Sequence, residues 1–214
     1  MNQVTVAATR TFSDYSAELN ALIHARRRDL GCEIEPGLEW VTGYLGDPAS
    51  RIWFVGENAS LTGARRTPAA RRGNATADDQ WWVERFRSAL VEAEFKDGPW
   101  DAPGGWHCYV TDLMKEAVLV KDWQKKKRDQ LARARDWSPV LRWELANARP
   151  LLAVLMGKHA QRWFREVVAR DELRGIELLD AVHYSYRFCP PTAFSEGVAA
   201  ARRRFDALIA AAHE

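Results

Sequence analysis

Short apolar runs bounded by glycine or polar residues alternate with longer stretches of helical periodicity along this chain. Four apolar runs have the length and flanks of buried strands, at residues 52–55, 107–111, 151–156 and 177–183. Strands separated by helices predict an α/β fold, because parallel strands need crossover connections. We therefore expect a three-layer α/β/α architecture around a central, mostly parallel four-stranded sheet.

The stretches between these runs carry apolar residues at helical spacing. A first helix has Ser13 as a possible N-cap and Gly31 as its stop. Further helices are predicted at residues 82–93, 138–149, 158–169 and 193–212. The polar stretch 57–80 is predicted as a loop, and its length for a compact domain hints at function.

Composition narrows the class of protein. The chain has 214 residues, 47% hydrophobic and 28% charged, with a formal charge of +2. These values suit one globular domain over residues 1–214, with residues 1–50 as a helical extension packed on it, and we expect a monomer. No apolar run reaches the roughly 18 residues of a membrane span, so neither secretion nor a membrane location is expected.

The three cysteines, at positions 32, 108 and 189, are far apart and have no metal-ligand spacing. They favour a reducing compartment, and we expect a cytoplasmic protein with no metal site. The chain also lacks the G-x-S-x-G elbow of serine hydrolases and the phosphate-binding P-loop.

Polar residues follow the predicted strands at the sheet edge where α/β proteins bind ligands. Asn58 could hold a water or read a base edge, or simply occupy a turn. His183 could stabilise developing negative charge, or be a structural histidine. Asp112 could cap a following helix. Lys115 and Lys158 could contact phosphate or be solvated.

Two basic runs suggest a local phosphate-binding surface despite the small net charge, although such runs are often only solvated. The first run comprises Arg65, Arg66, Arg71 and Arg72, and the second comprises Lys125, Lys126, Lys127 and Arg128.

Four blocks, in order, resemble the motifs of the uracil-DNA glycosylase superfamily. They are IWFVGENAS (52–60), YVTDLMK (109–115), LAVLMGKHA (152–160) and VHYSY (182–186). The first is similar to the G-E-A-P-G motif of thermophile-type enzymes and the G-x-N-P-G motif of mismatch-specific and thymine-DNA types. The last is similar to H-P-S-Y. The resemblance spans about residues 51–188, and the first 50 residues carry no match.

The resemblance implies an enzyme that flips a nucleotide out of DNA and hydrolyses its N-glycosidic bond. Asn58 would position the attacking water, and Glu57 would help to activate it or only cap the next turn. His183 would donate a hydrogen bond to the pyrimidine O2. The base would lie among Gly56, Asp112 and Trp81. DNA contacts would come from Arg65, Arg66, Lys115, Lys158, Ser185, Tyr186 and Arg187.

The chain departs from the family pattern in informative ways. Ala59 and Tyr184 stand where the motifs have proline, and the cysteines of the thermophile-type iron–sulfur cluster are missing, so no cofactor is expected. Asp112 replaces the base-reading asparagine. An ionised aspartate can only accept hydrogen bonds, so it would repel uracil O4 and favour the amine of a cytosine.

Alternatives for substrate and activity stay open at this point. The substrate is uracil or another deaminated base, or else a modified cytosine of the kind found in hypermodified phage DNA, which would imply a defence role. The chain could also be an inactive DNA-binding or sensing protein with the same fold. An unrelated small-molecule enzyme of α/β type is a third possibility.

Overall fold

A computed structural model of the chain describes residues 12–125, 129–185, 190 and 192–212. Its strands are β1 (Tyr44–Gly46), β2 (Ile52–Ser60), β3 (Tyr109–Val118), β4 (Leu152–Met156) and β5 (Glu177–Ala181). Its longer helices are α1 (Phe12–Asp29), α4 (Glu84–Glu92), α6 (Gln130–Ala148), α7 (Lys158–Val167) and α8 (Ala193–Ala211). Shorter helical segments are α2 (Leu61–Ala64), α3 (Pro68–Arg71), α5 (Val120–Lys125) and a 3-10 helix, Ala77–Trp81.

The sheet has the order β1-β3-β2-β4-β5, and all neighbours are parallel except the antiparallel pair β1 and β3. The predicted α/β fold with a mostly parallel central sheet is confirmed. The prediction of four strands was wrong by one, because β1 has only three residues and shows no alternation to detect.

Helices cover both faces of the sheet, which explains the continuous apolar runs of its inner strands. The side chains of alternate residues in β2 point to opposite faces of the sheet. Trp53 and Val55 pack in the cluster with α1, α6 and α7, whereas Ile52 and Phe54 pack in the cluster with α4 and α8. All four side chains are fully buried.

The stretch 57–80 was predicted as a loop, and the structure corrects this. Strand β2 runs on to Ser60, whose Oγ then accepts a hydrogen bond from the Gly63 N–H at 3.1 Å and caps α2. Thr67 caps α3 in the same way through the Ala70 N–H, also at 3.1 Å. Polar capping residues therefore begin short helices here.

Strand β3 is longer than predicted and runs through three charged residues. Asp112, predicted at a strand end, is the fourth residue of this ten-residue strand, so it caps no helix. Asp112, Lys115 and Glu116 are all buried. A buried strand can carry such residues only when other groups compensate their charges.

A buried ion pair between Lys115 and Glu144 of α6 supplies much of this compensation. Lys115 Nζ lies 3.0 Å from the Glu144 carboxylate and also donates to the Gly43 carbonyl oxygen at 3.1 Å. Tyr109 donates its hydroxyl to Glu144 at 2.6 Å. With 1% of its surface exposed, Lys115 cannot reach a DNA phosphate in this arrangement, which corrects the role expected for it.

We expect Lys115→Met to lower the free energy of unfolding by about 3–5 kcal/mol, because it leaves the Glu144 carboxylate buried without its counter-charge. The matched control is Arg165→Met, which breaks an exposed pair with Asp180. The control should change stability by no more than about 1 kcal/mol. Urea unfolding of the three proteins measures both values, and equal losses would contradict this role for the pair.

Candidate functional site

A cavity of about 490 Å³ opens at the carboxyl ends of β2, β4 and β5. This is the edge at which the sequence predicts a ligand. Glu57 reaches it from β2, Lys158 and His159 reach it from the first turn of α7, and His183 and Ser185 follow β5. The structure therefore brings together four of the predicted site residues, Glu57, Lys158, His183 and Ser185.

The His183 ring is held in one tautomer by Ser185. The Ser185 backbone N–H donates to His183 Nδ1 at 3.2 Å, and the Ser185 hydroxyl lies 2.8 Å from the same nitrogen. Because Nδ1 accepts, the proton of a neutral ring lies on Nε2. Burial lowers the pKa of His183, and the nearby Glu57 only partly opposes this shift. The ring is thus a neutral imidazole whose Nε2–H can donate.

Gly157 makes room for this histidine at the turn from β4 to α7. Its φ is +90°, and a Cβ there would lie only 3.0 Å from His183 Cβ. Any side chain would therefore both strain the turn and displace the ring.

The Glu57 carboxylate is held from two sides at the same cavity. Trp123 of α5 donates its indole N–H to one carboxylate oxygen. His159 Nδ1 lies 3.0 Å from the other oxygen. The Glu57 side chain is 22% exposed, so its carboxylate remains accessible from the cavity.

The three predicted base-binding residues form a second cluster, on the other face of β2. A Cβ at Gly56 would lie 2.3 Å from Asp112 Oδ1 and 3.3 Å from the Trp81 ring. Asn58 follows two residues later on the same strand, and its amide donates to the Ala59 carbonyl oxygen at 3.1 Å. Among the described residues, those lining the cavity include none of this cluster.

The surroundings of Asp112 favour its neutral form, in contrast to the ionised side chain expected from the sequence. Burial is the main cause that raises its pKa to about 8; the charges of Glu57 and Glu144 add to this rise, and Lys115 opposes it. Its Oδ2 is buried and, within the described part of the chain, has no hydrogen-bond partner. A neutral carboxyl group is the less costly form in such a place.

Three residues near the cavity were not among the site residues predicted from the sequence: His159, Trp123 and Tyr184. His159 follows Gly157 by two positions, so the strand-end argument that selected Lys158 could have found it. Tyr184 stacks on His183, with ring centroids 4.2 Å apart, and packs against Phe86 on the other face of the sheet. No pattern marks Trp123, because its contact with Glu57 depends on the placement of α5.

The predicted DNA-binding residues that the structure describes lie on several elements: Lys158 begins α7 after β4, Ser185 follows β5, and Arg65 and Arg66 follow α2. Arg65 pairs with Glu35 at 2.5 Å, and Arg66 is exposed beside it. Arg71 and Arg72, at the end of α3, are exposed too. Several predicted positions lie outside the described residues: Tyr186, Arg187, Cys189 and residues 126–128 of the second basic run.

The described residues contain neither a helix that could span a membrane nor a group that could bind a metal ion. No helix there combines the length and apolarity needed to cross a bilayer. Within the same ranges, no three His, Cys, Asp or Glu residues group closely enough to hold a metal ion.

Comparison with known proteins identifies the family of this chain. The family model for the Uracil DNA glycosylase superfamily matches residues 43–207, which is well over half of the chain. A solved structure, the wild-type UNG crystal structure from Nitratifractor salsuginis, is 13% identical, with 92% of this chain and 98% of that chain covered at a TM-score of 0.40. The search of curated proteins finds no match.

Protonation of Asp112 makes stability depend on pH. From about pH 4 to about pH 8 the folded chain holds a proton on Asp112 that the unfolded chain has lost. Stability should therefore fall as pH rises, by up to about 1.4 kcal/mol per pH unit from this group. Asp112→Asn should remove that contribution. Urea unfolding of both proteins at several pH values gives the difference, and a difference independent of pH would contradict a buried neutral carboxyl group.

Proposed function

This chain belongs to the uracil DNA glycosylase superfamily, whose members are DNA glycosylases, and we propose that it flips a pyrimidine-type base out of DNA and hydrolyses its N-glycosidic bond. The product would be an abasic site. The observation that carries the proposal is the meeting of Glu57 and His183 in one cavity at the carboxyl edge of the sheet. The first and last motif blocks of the sequence supply these two residues.

His183 is proposed to stabilise the departing base. When the bond between the sugar C1′ and the base nitrogen breaks, the electron pair leaves with the base and negative charge collects on the pyrimidine O2. The neutral ring presents its Nε2–H as a donor, because Ser185 occupies Nδ1. A donor that is fixed before the reaction stabilises this charge without reorganisation.

Glu57 is proposed to act on the sugar side of the same bond. Its carboxylate would face the positive charge on the sugar and take a proton from the attacking water as the water oxygen bonds to C1′. The base anion would then take up a proton from solvent. Asn58 was expected to position this water. It lies on the other face of β2, so we propose it as a second contact to the water or to the base edge.

Base reading is proposed for the cluster of Gly56, Trp81 and Asp112. A neutral carboxyl group has one donor and one acceptor, as an asparagine amide has, so Asp112 can pair with both O4 and N3–H of uracil. The ionised form only accepts and suits the exocyclic amine of cytosine. We therefore propose uracil or another deaminated base as the substrate at neutral pH. Modified cytosine, with a role in phage defence, is the alternative that the ionised form favours.

DNA is the proposed partner. We propose that the phosphate backbone is contacted by residues that follow three elements of the fold, together with two residues of the last motif block. They are Arg65 and Arg66 after α2, Lys158 after β4, Ser185 after β5, and Tyr186 and Arg187. Binding through such contacts weakens as salt rises.

A second candidate function is DNA binding without catalysis. The Trp81 ring packs against Gly56, and Tyr184 stacks on His183, so aromatic side chains fill space beside both proposed groups. Both positions at which the motifs have proline also differ here. A protein of this kind would bind DNA and leave the base in place.

The first test is abasic-site formation on labelled DNA containing uracil, hydroxymethylcytosine or glucosylated hydroxymethylcytosine, in single and double strands. We expect cleavage of at least one substrate, and a loss of about 10²–10³-fold in kcat for His183→Ala because one preorganised donor is removed. His107→Ala is the control, since His107 forms an exposed pair with Asp97 away from the cavity. Salt-dependent binding with no abasic site on any substrate would favour the binding-only function.

The pH profile tests Asp112 directly. Release of uracil should decline as pH rises through about 8, because the donor to O4 is lost when Asp112 ionises. Any release of an amine-bearing base should rise over the same range. Asp112→Asn should keep uracil release and abolish this decline, measured as kcat/KM from pH 6 to pH 9. A decline that survives the substitution would assign it to another group.

A further inference from the structure

We propose that His159 is a positioning residue that, together with Trp123, fixes the Glu57 carboxylate in the orientation needed to act on water. This inference deepens the proposed function and rests on it. It concerns a histidine that none of the four motif comparisons singles out for a role.

Each oxygen of the Glu57 carboxylate has its own ring-nitrogen partner. Trp123 Nε1–H donates to Oε1, and His159 Nδ1 lies 3.0 Å from Oε2. A carboxylate held at both oxygens cannot turn about its last bond without losing one contact. Its remaining lone pairs then keep a constant direction.

A third aromatic residue, Trp163, supports both partners of Glu57. The His159 ring stacks on Trp163 of α7, with centroids 4.6 Å apart and planes 15° apart. Trp123 meets the same indole edge-on at 6.4 Å. Trp163 is 4% exposed and Trp123 is 8% exposed, so one buried ring backs both partners while Glu57 stays open to the cavity.

The turn from β4 to α7 places both histidines, His159 and His183. Gly157 brings His183 against the backbone, and α7 begins at the next residue, which sets His159 in the first helical turn. The group proposed to stabilise the base and the group proposed to orient Glu57 are therefore fixed by the same piece of backbone. Their relative position can vary little.

A surface ion pair with no role is the competing explanation. The pair of His107 and Asp97 shows what such a contact looks like, with a 2.7 Å separation and side chains that are 53% and 73% exposed. His159 is 55% exposed, much like His107, so the difference lies with the carboxylate. Glu57 is only 22% exposed and has a second donor on its other oxygen.

The test compares His159→Ala, His159→Asn and the control His107→Ala on the best substrate of the panel. His159→Ala should lower kcat by about 10²-fold, the loss typical of a catalytic group displaced by about 1 Å, with KM unchanged. His159→Asn should recover most of the activity, because the asparagine amide nitrogen can take the place of Nδ1. Trp123→Phe, which keeps a ring but removes the N–H, should also lower kcat.

A double variant separates positioning from general damage. In the Glu57→Gln background, His159→Ala should cause no further loss, because residues that act as a unit are not additive. Thermal melting of each variant checks that it folds. If His159→Ala does not fold, Trp123→Phe tests the same carboxylate independently.

The outcomes distinguish the two proposals. If the unmodified chain releases a base and His183→Ala does not, but His159→Ala behaves like His107→Ala, this inference is overturned and the proposed function stands. Additive losses in the double variant would overturn it equally. If the unmodified chain releases no base from any substrate, the proposed function fails and the inference falls with it.

Discussion

The buried pair of Lys115 and Glu144 is the interaction on which the site depends. It allows a strand that carries acidic and basic side chains to run through the interior, and it joins β3 to α6 and to the chain just before β1. Arg27 of α1 donates to the Lys115 carbonyl oxygen at 2.7 Å and ties the first helix to the same point. Because β3 is held in this way, Asp112 lies beside Gly56 on the neighbouring strand and is buried within the sheet.

Burial and three neighbouring charges act on Asp112. Desolvation is the largest influence and favours the neutral carboxyl group. Lys115 favours the ionised form, whereas the charges of Glu57 and Glu144 oppose it. The buried course of β3 therefore bears most on the hydrogen bonds that this proposed base-reading group can make.

Sequence could predict the elements and the edge of the sheet that carries the site, because apolar runs and their polar ends are local signals. It located Glu57, Lys158, His183 and Ser185 at one edge, and the structure joins them. The length of β3 could not be predicted from the sequence. Charged residues after an apolar run indicate the end of a strand, unless their partners on other elements are known. For the same reason, the sequence predicted that Lys115 contacts DNA and that Asp112 is ionised. The contact between His159 and Glu57 needs the packing of α7 against β2, and the contact between Trp123 and Glu57 needs the placement of α5. No local pattern encodes the second.

Strand alternation explains how one short motif can serve two chemical tasks. Gly56 and Glu57 are neighbours in β2, so they face opposite sides of the sheet, one toward the base-reading cluster and one toward the cavity. His183 and Tyr184 repeat this division after β5, with His183 in the cavity and Tyr184 packed toward Phe86. Burial keeps His183 neutral and Asp112 protonated, so neither group adds charge to its side of the strand. The negative charge nearest the cavity then belongs to Glu57, each of whose oxygens contacts a ring nitrogen. In the proposed reaction, this is the side on which the positively charged sugar would form.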